Sequence, residues 1–110
     1  MMKINILDIG GKTVKDDERY IVKDNSMLNN LVVSSTDLKP GKSTSGHKHP
    51  GQEEVYNFVK GRGLMKIDED IFAVSEGDVI LVEDGKFHQV INNSEENLYF
   101  VCVFDGSRNH

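Results

Sequence analysis

Apolar residues along the chain recur in short runs or at every second position, and not at the spacing of an amphipathic helix. Within residues 54–60, for example, Val55 and Val59 alternate with Tyr56 and Phe58. Side chains two apart in a strand share a face, so this pattern predicts a β-strand. Further runs rich in strand-forming residues occupy positions 32–38, 64–67, 72–74, 79–82, 87–91 and 98–104.

Turn-forming residues separate these runs, and they include Pro40-Gly41, Pro50-Gly51 and Asp84-Gly85. Short strands at such intervals, without a credible long helix, predict an all-β sandwich or barrel in a single domain. Residues 13–30 are more polar and less regular, and they could hold a short strand at 20–22. We therefore divide the domain into an N-terminal edge segment, residues 1–30, and a barrel, residues 31–110.

Size and charge exclude several classes of function. The chain has 110 residues and a net charge of −5, and its basic residues form no run. We therefore expect no nucleic-acid partner and no membrane association, since no apolar stretch approaches the length of a membrane-spanning helix. The first residues lack the apolar core of a signal peptide, and Cys102 is the only cysteine. These features predict a soluble cytoplasmic protein.

The segment of predicted strands contains four residues whose side chains commonly bind metal ions: His47, His49, Glu54 and His88. His47 and His49 are two apart, so a strand would place both imidazoles on one face, about 6.6 Å apart. Glu54 opens the next strand after a turn, and His88 lies on a later strand that barrel closure would bring opposite. Three nitrogens and one oxygen would leave about two positions of an octahedral metal ion open for a substrate.

There are two simpler interpretations of the same four residues. The four residues could be ordinary polar side chains of the surface or core. A metal could also bind and only stiffen the barrel, although structural sites usually close their ligand set.

At these residues the sequence resembles the cupin superfamily. The first cupin motif is glycine, five residues, His-x-His, three or four residues, Glu, six residues and glycine, and here it spans residues 41–61. Glu53 would also satisfy the shorter spacing but leaves seven residues before Gly61, so we choose Glu54. The second motif spans residues 77–92 and carries His88, with Glu83 where the family usually has proline.

The resemblance implies a small single-domain microbial cupin, a jelly-roll β-barrel with one divalent transition metal inside its mouth. The ion would be Mn, Fe, Ni, Co or Zn. Imidazole with one carboxylate also suits such ions better than magnesium or calcium. The fold hosts many reactions, so the resemblance does not name one.

Strand parity suggests which residues surround the metal. Tyr56 and Phe58 share the face of Glu54, and Met65 is an expected inner neighbour. Both faces of the last strand are apolar, and we place Phe100 and Cys102 inward. Tyr56 is a candidate catalytic acid, although a plain core aromatic is the simpler interpretation. Phe58, Met65, Phe100 and Cys102 are candidate pocket residues.

Two functional hypotheses follow. The first is a metalloenzyme, a dioxygenase, isomerase or lyase, whose ion acts on a small oxyacid, keto-acid, diketone, sugar or uronate. The second is a metal-dependent module that binds or senses a small sugar or acid without turnover. Exposed sheet edges and the N-terminal segment further predict a homodimer.

Overall fold

The computed structural model describes residues 2–48 and 50–106. This part of the chain contains ten β-strands and no helix, which confirms the prediction of an all-β single domain. The strands are β1 (Lys12–Asp16), β2 (Tyr20–Asn25), β3 (Leu31–Leu38), β4 (His47–Lys48), β5 (Glu54–Lys60), β6 (Arg62–Ile67), β7 (Asp70–Ser75), β8 (Val79–Val82), β9 (Phe87–Ile91) and β10 (Leu98–Asp105). Within the same residues, no segment forms an apolar helix long enough to span a membrane.

The strands form two antiparallel sheets that face each other. The six-stranded sheet has the order β1-β2-β3-β10-β5-β8, and the four-stranded sheet has the order β4-β9-β6-β7. In the larger sheet, β5 pairs with β8 on one side and with β10 on the other. The core lies between the sheets, because alternate side chains of each strand point inward. It is built by Tyr20, Leu38, Tyr56, Phe58, Met65, Val74, Val82, Val90, Leu98, Phe100 and Cys102.

The connections are short, and one of them requires glycine. Gly61 alone joins β5 to β6, with a φ of +86° that L-residues rarely adopt. A Cβ at this position would lie 2.5 Å from the carbonyl oxygen of Asn97, so a side chain would clash with backbone. The last glycine of the first motif is therefore explained by the hairpin.

The N-terminal residues pack on the outer face of the larger sheet. Ile9 is 1% exposed, the Asn25 amide donates to its carbonyl oxygen at 2.7 Å, and the Tyr99 hydroxyl donates to the Ile6 carbonyl oxygen at 2.8 Å. Strand β2 extends the sheet beside β3, and β1 forms the edge beyond it. The predicted strand at 20–22 thus pairs within its own chain here.

The turn of the second motif, which lacks the usual proline, is held by hydrogen bonds. The Lys86 amide donates to the Glu83 carbonyl oxygen, and Gly85 has a φ of +78°. The carboxylate of Asp84 accepts a hydrogen bond from the Gly51 amide at 2.5 Å. This bond ties the turns of the two motifs together, which positions the strands that carry the candidate ligands.

Candidate metal centre

Three of the four predicted ligands lie near one another, and two of them converge closely. His47 on β4 is the antiparallel partner of His88 on β9, and the centroids of their rings lie 5.9 Å apart. Glu54, the first residue of β5, approaches from the opposite sheet, and its Oε1 lies 3.4 Å from His88 Nε2. His49, the fourth predicted ligand, lies outside the described residues.

A glycine fixes how the chain enters β4. Gly46 has a φ of +80°, and a Cβ there would lie 2.6 Å from the ring of Phe87. Only a residue without a side chain therefore allows the backbone to pass this close to β9. The close passage brings His47 alongside His88.

The orientation of His88 follows from its hydrogen bond to the backbone. Its Nδ1 lies 3.1 Å from the carbonyl oxygen of Lys86, and because a carbonyl oxygen only accepts, Nδ1 is the donor. In the neutral ring, Nε2 then carries its lone pair on the side of Glu54. A backbone carbonyl that fixes a histidine tautomer in this way is a common support for a metal ligand.

Two buried acceptor atoms therefore face each other across the sheets. Glu54 is 5% exposed and His88 is 3% exposed, and Glu54 Oε1 makes no hydrogen bond within residues 2–48 and 50–106. A negative oxygen and a nitrogen lone pair at this distance favour a cation near both, either a proton or a metal ion. Burial acts to lower the pKa of His88, but Glu54 and the Lys86 carbonyl outweigh it, and the pKa is raised overall.

The distance between Glu54 Oε1 and His88 Nε2 also fits a metal ion bound to both. Two ligands about 2.1 Å from one ion can lie up to about 4.2 Å apart, so the separation of Glu54 Oε1 and His88 Nε2 is within reach. Among the residues that the structure describes, no three His, Cys, Asp or Glu side chains converge closely enough to hold an ion. Glu54 and His88 thus form the converged pair, with the ring of His47 beside His88.

Tyr56 and Cys102 lie next to this pair. The Tyr56 ring contacts the edge of His88, with 5.7 Å between centroids, and Cys102 is the β10 partner of Tyr56. Burial raises the pKa of Tyr56 well above its usual value, and the side chains of Cys102 and Glu54 add to the rise. Burial likewise raises the pKa of Cys102, with the charge of Glu54 contributing. Both groups are therefore neutral at physiological pH.

Two of the candidate ligands, His47 and Glu54, line a cavity of about 380 Å³. Its wall is mostly apolar and is formed by both motif strands and N-terminal strands. The lining residues are Val14, Lys15, Tyr20, Val22, Asp24, Ser34, Thr36, Thr44, His47, Glu54, Tyr56, Phe100, Cys102 and Phe104. A site of this size accepts a small organic molecule.

The structure distributes the predicted pocket residues between wall and core. Phe100 and Cys102 line the cavity with Tyr56. Phe58 and Met65 do not; both are buried in the core, where Phe58 lies against Phe100 at 5.3 Å between ring centroids. Parity placed them on the inner face, but that face extends beyond the cavity into the closed part of the barrel.

Sequence reasoning missed the charged residues of the wall, Lys15 and Asp24. Alternation from Tyr20 through Val22 could have placed Asp24 on the inner face. No pattern marked Lys15, because the register of β1 shifts between Thr13 and Lys15. Such a bulge changes the facing of the residues after it.

Comparison with known proteins identifies the family, because the model of the cupin domain matches residues 34–104. The chain belongs to the cupin family. An uncharacterized protein of Methanocaldococcus jannaschii is 31% identical to this cupin over 94 residues, 76% of this chain and 75% of that protein. The oxalate-binding protein of Thermotoga maritima is 32% identical over 66 residues, 60% of this chain and 54% of that protein, so the cupin spans about half of this relative.

Solved structures agree on the fold. The structure of a predicted oxalate decarboxylase from Thermotoga maritima matches with a TM-score of 0.75 and 22% identity, covering 94% of this cupin and 98% of that chain. At this identity the match establishes the barrel architecture, and the chemistry has to be argued from the site itself.

Proposed function

We propose that this cupin binds one divalent transition metal through His47, His49, Glu54 and His88, and acts on a small substrate that chelates the metal through oxygen. Mn, Fe, Ni, Co and Zn all suit this ligand set. When bound, the ion would polarise a substrate oxygen as a Lewis acid or, if it is iron or manganese, support oxygen chemistry. The buried pair of Glu54 Oε1 and His88 Nε2, 3.4 Å apart, carries the proposal, and Glu54 also lines the cavity.

The cavity supports a small oxyacid or keto-acid as the substrate. Its volume of about 380 Å³ suits a small ligand, and polar side chains are interspersed with the apolar ones in its wall. The chelating end of the ligand would be oriented near the metal, where Glu54, His47 and Tyr56 line the wall. That a 32% identical relative is named an oxalate-binding protein supports the same class, oxygen-rich small acids. Diketones, sugars and uronates share the chelating oxygens.

Within this proposal, Tyr56 holds a proton at its hydroxyl beside the reacting group. Its raised pKa keeps the hydroxyl protonated, so it can donate a hydrogen bond to a substrate oxygen. Its position against His88 brings the hydroxyl to the ligand end of the cavity.

A second candidate, binding without turnover, is favoured by one observation. Apart from the candidate ligands, the ionisable groups of the described cavity wall are Lys15, Tyr20, Asp24, Tyr56 and Cys102. The pKa values of Tyr56 and Cys102 are both raised by burial, so neither is a ready base at neutral pH, and Asp24 is the one carboxylate in this set. A sensing or carrier module needs no base, whereas most isomerisation and lyase schemes do.

Metal content tests the proposal. We expect close to one transition metal per chain in untagged protein measured by mass spectrometry, and loss of most of that metal in His88→Ala. His110→Ala removes a histidine outside both motifs and serves as the control, with unchanged metal content. Wild-type protein without metal, or His88→Ala with full metal content, contradicts the proposed site. Screening the loaded protein against small acids then separates turnover from binding alone.

The homodimer stays a prediction. Leu81 on β8 is 71% exposed, and its neighbour Val79 is exposed on the same outer face. A second copy that covered this apolar face would remove both side chains from water. Light scattering that shows a monomer at micromolar concentration would contradict the dimer.

A further inference from the structure

Strand β1 brings a positive charge to a cavity whose metal ligands all come from other strands. Lys15 lies on β1, the edge strand of the six-stranded sheet, and it lines the cavity together with Glu54 and Tyr56. The bulge between Thr13 and Lys15 accounts for this, because Val14 and Lys15 both reach the cavity instead of alternating.

The ammonium group of Lys15 is positioned but not neutralised. It lies 5.9 Å from the centroid of the Tyr20 ring, and Tyr20 is itself a buried residue of the cavity wall. A cation over an aromatic face at this distance is weakly attracted to it. Among residues 2–48 and 50–106, the ion pairs join Arg19 to Asp17, Lys86 to Asp68 and His88 to Glu54, so Lys15 takes part in none of them.

Lys15 is also the only lysine or arginine among the described residues of the wall. The acid Asp24 lies in the same cavity wall. Its cross-strand partner is Lys12, whereas the partner of Lys15 is Val22. An anionic ligand would therefore meet Lys15 as its attractive charge and Asp24 as a repulsive one. Together, the two charges would favour ligands whose carboxylate lies near Lys15 and away from Asp24.

We infer that Lys15 binds a carboxylate of the substrate other than its metal-chelating group, so that the preferred ligands are small acids with a second carboxylate. This inference rests on the proposed function, since the chelating end needs the metal. A charge-assisted hydrogen bond to a carboxylate is stronger than a neutral one, and it would discriminate against a ligand that ends in a methyl group.

A matched pair of ligands tests the inference. 2-Oxoglutarate and 2-oxopentanoate share the chelating oxoacid end and the chain length, and they differ in a terminal carboxylate against a methyl group. Calorimetric titration of zinc-loaded protein should show at least ~10-fold tighter binding of 2-oxoglutarate by the wild type. Lys15→Gln should abolish this preference, and Asp24→Asn should increase it.

Lys23→Gln is the control, because Lys23 is exposed on the neighbouring strand β2 and lines the second cavity instead of this one. It should leave the preference unchanged. The inference is overturned if the wild type binds the two ligands equally or binds neither, or if Lys15→Gln keeps the preference. Metal content measured on the same samples separates the two proposals: a metal-free wild type after zinc loading refutes the proposed site, whereas full metal content without dependence on Lys15 refutes only this inference.

Discussion

Strands β5 and β1 both line the cavity, but they are held in place in different ways. β5 lies inside the larger sheet, with neighbours on both sides, and its residues alternate between buried and partly buried. β1 is an edge strand whose five residues are all exposed, and it pairs only with β2. The metal ligand Glu54 is thus proposed on a rigid element, whereas Lys15 lies on a strand that burial constrains little.

The two strands would then serve different functions, metal binding on β5 and ligand selection on β1. A metal site needs donor atoms fixed to within a fraction of an ångström, which a packed central strand provides. Selection among small acids needs a charge in the correct region, and an edge strand can supply it. Variants that act on one side of the cavity and leave the other unchanged would test this division.

Replacing Glu54 should have the largest effect. Glu54→Gln keeps the shape of the side chain but removes the negative charge that faces His88, and we expect metal affinity to fall by more than ~100-fold, since even outer-shell partners are worth 10–100-fold. The measurement is competition with a chromogenic chelator during titration with zinc.

Glu53→Gln is the matched control. Glu53 is the neighbouring exposed acid, and in the sequence it was the alternative to Glu54. If Glu53→Gln weakens metal binding and Glu54→Gln does not, the carboxylate ligand has been assigned to the wrong residue.

The same division explains what could be predicted from the sequence. The runs at 54–60, 79–82 and 87–91 coincide with β5, β8 and β9, because strands that pack at least one face against the core leave an apolar pattern that the chain shows directly. The candidate ligands could be named because of the motif spacing, and the structure places His47, Glu54 and His88 near one another, while their role as ligands stays a prediction. Alternation also placed Tyr56 on the inner face, where it is buried.

Three other features of the structure, namely β1, the facing of β10 and the packing of the N-terminal residues, left no pattern in the sequence. β1 reads Lys-Thr-Val-Lys-Asp and buries nothing, so backbone pairing with β2 holds it, and its bulge is invisible in the sequence. The facing of β10 was ambiguous for a physical reason: Phe100 and Val101 are both buried. N-terminal residues cover part of the outer face, where Leu7, Ile9 and Tyr99 line a second cavity of about 200 Å³.

A smaller effect is expected at Tyr56, which tests whether the wall beside the ligands takes part in chemistry. Tyr56→Phe removes the hydrogen-bond donor but no metal ligand, so metal content should stay at the wild-type level while turnover falls by about 100-fold. The readout is the rate with whichever small acid the loaded wild type converts. Tyr99→Phe is the control, because the Tyr99 hydroxyl donates to the Ile6 carbonyl on the outer face. Equal rates for wild type and Tyr56→Phe would remove Tyr56 from the mechanism.

The smallest effect is expected at Asn25, at the end of β2, and it concerns stability alone. Its side-chain amide donates to the carbonyl oxygen of the buried Ile9, so Asn25→Ala should lower the free energy of unfolding by about 1–2 kcal/mol, because that carbonyl loses its partner. Urea denaturation measures the change, with the exposed Asn29→Ala as the control. Metal content should not change, since no candidate ligand contacts the N-terminal residues through this bond. Loss of metal in Asn25→Ala would mean that the N-terminal packing also positions the ligands, and the two sides of the cavity would then not be separable.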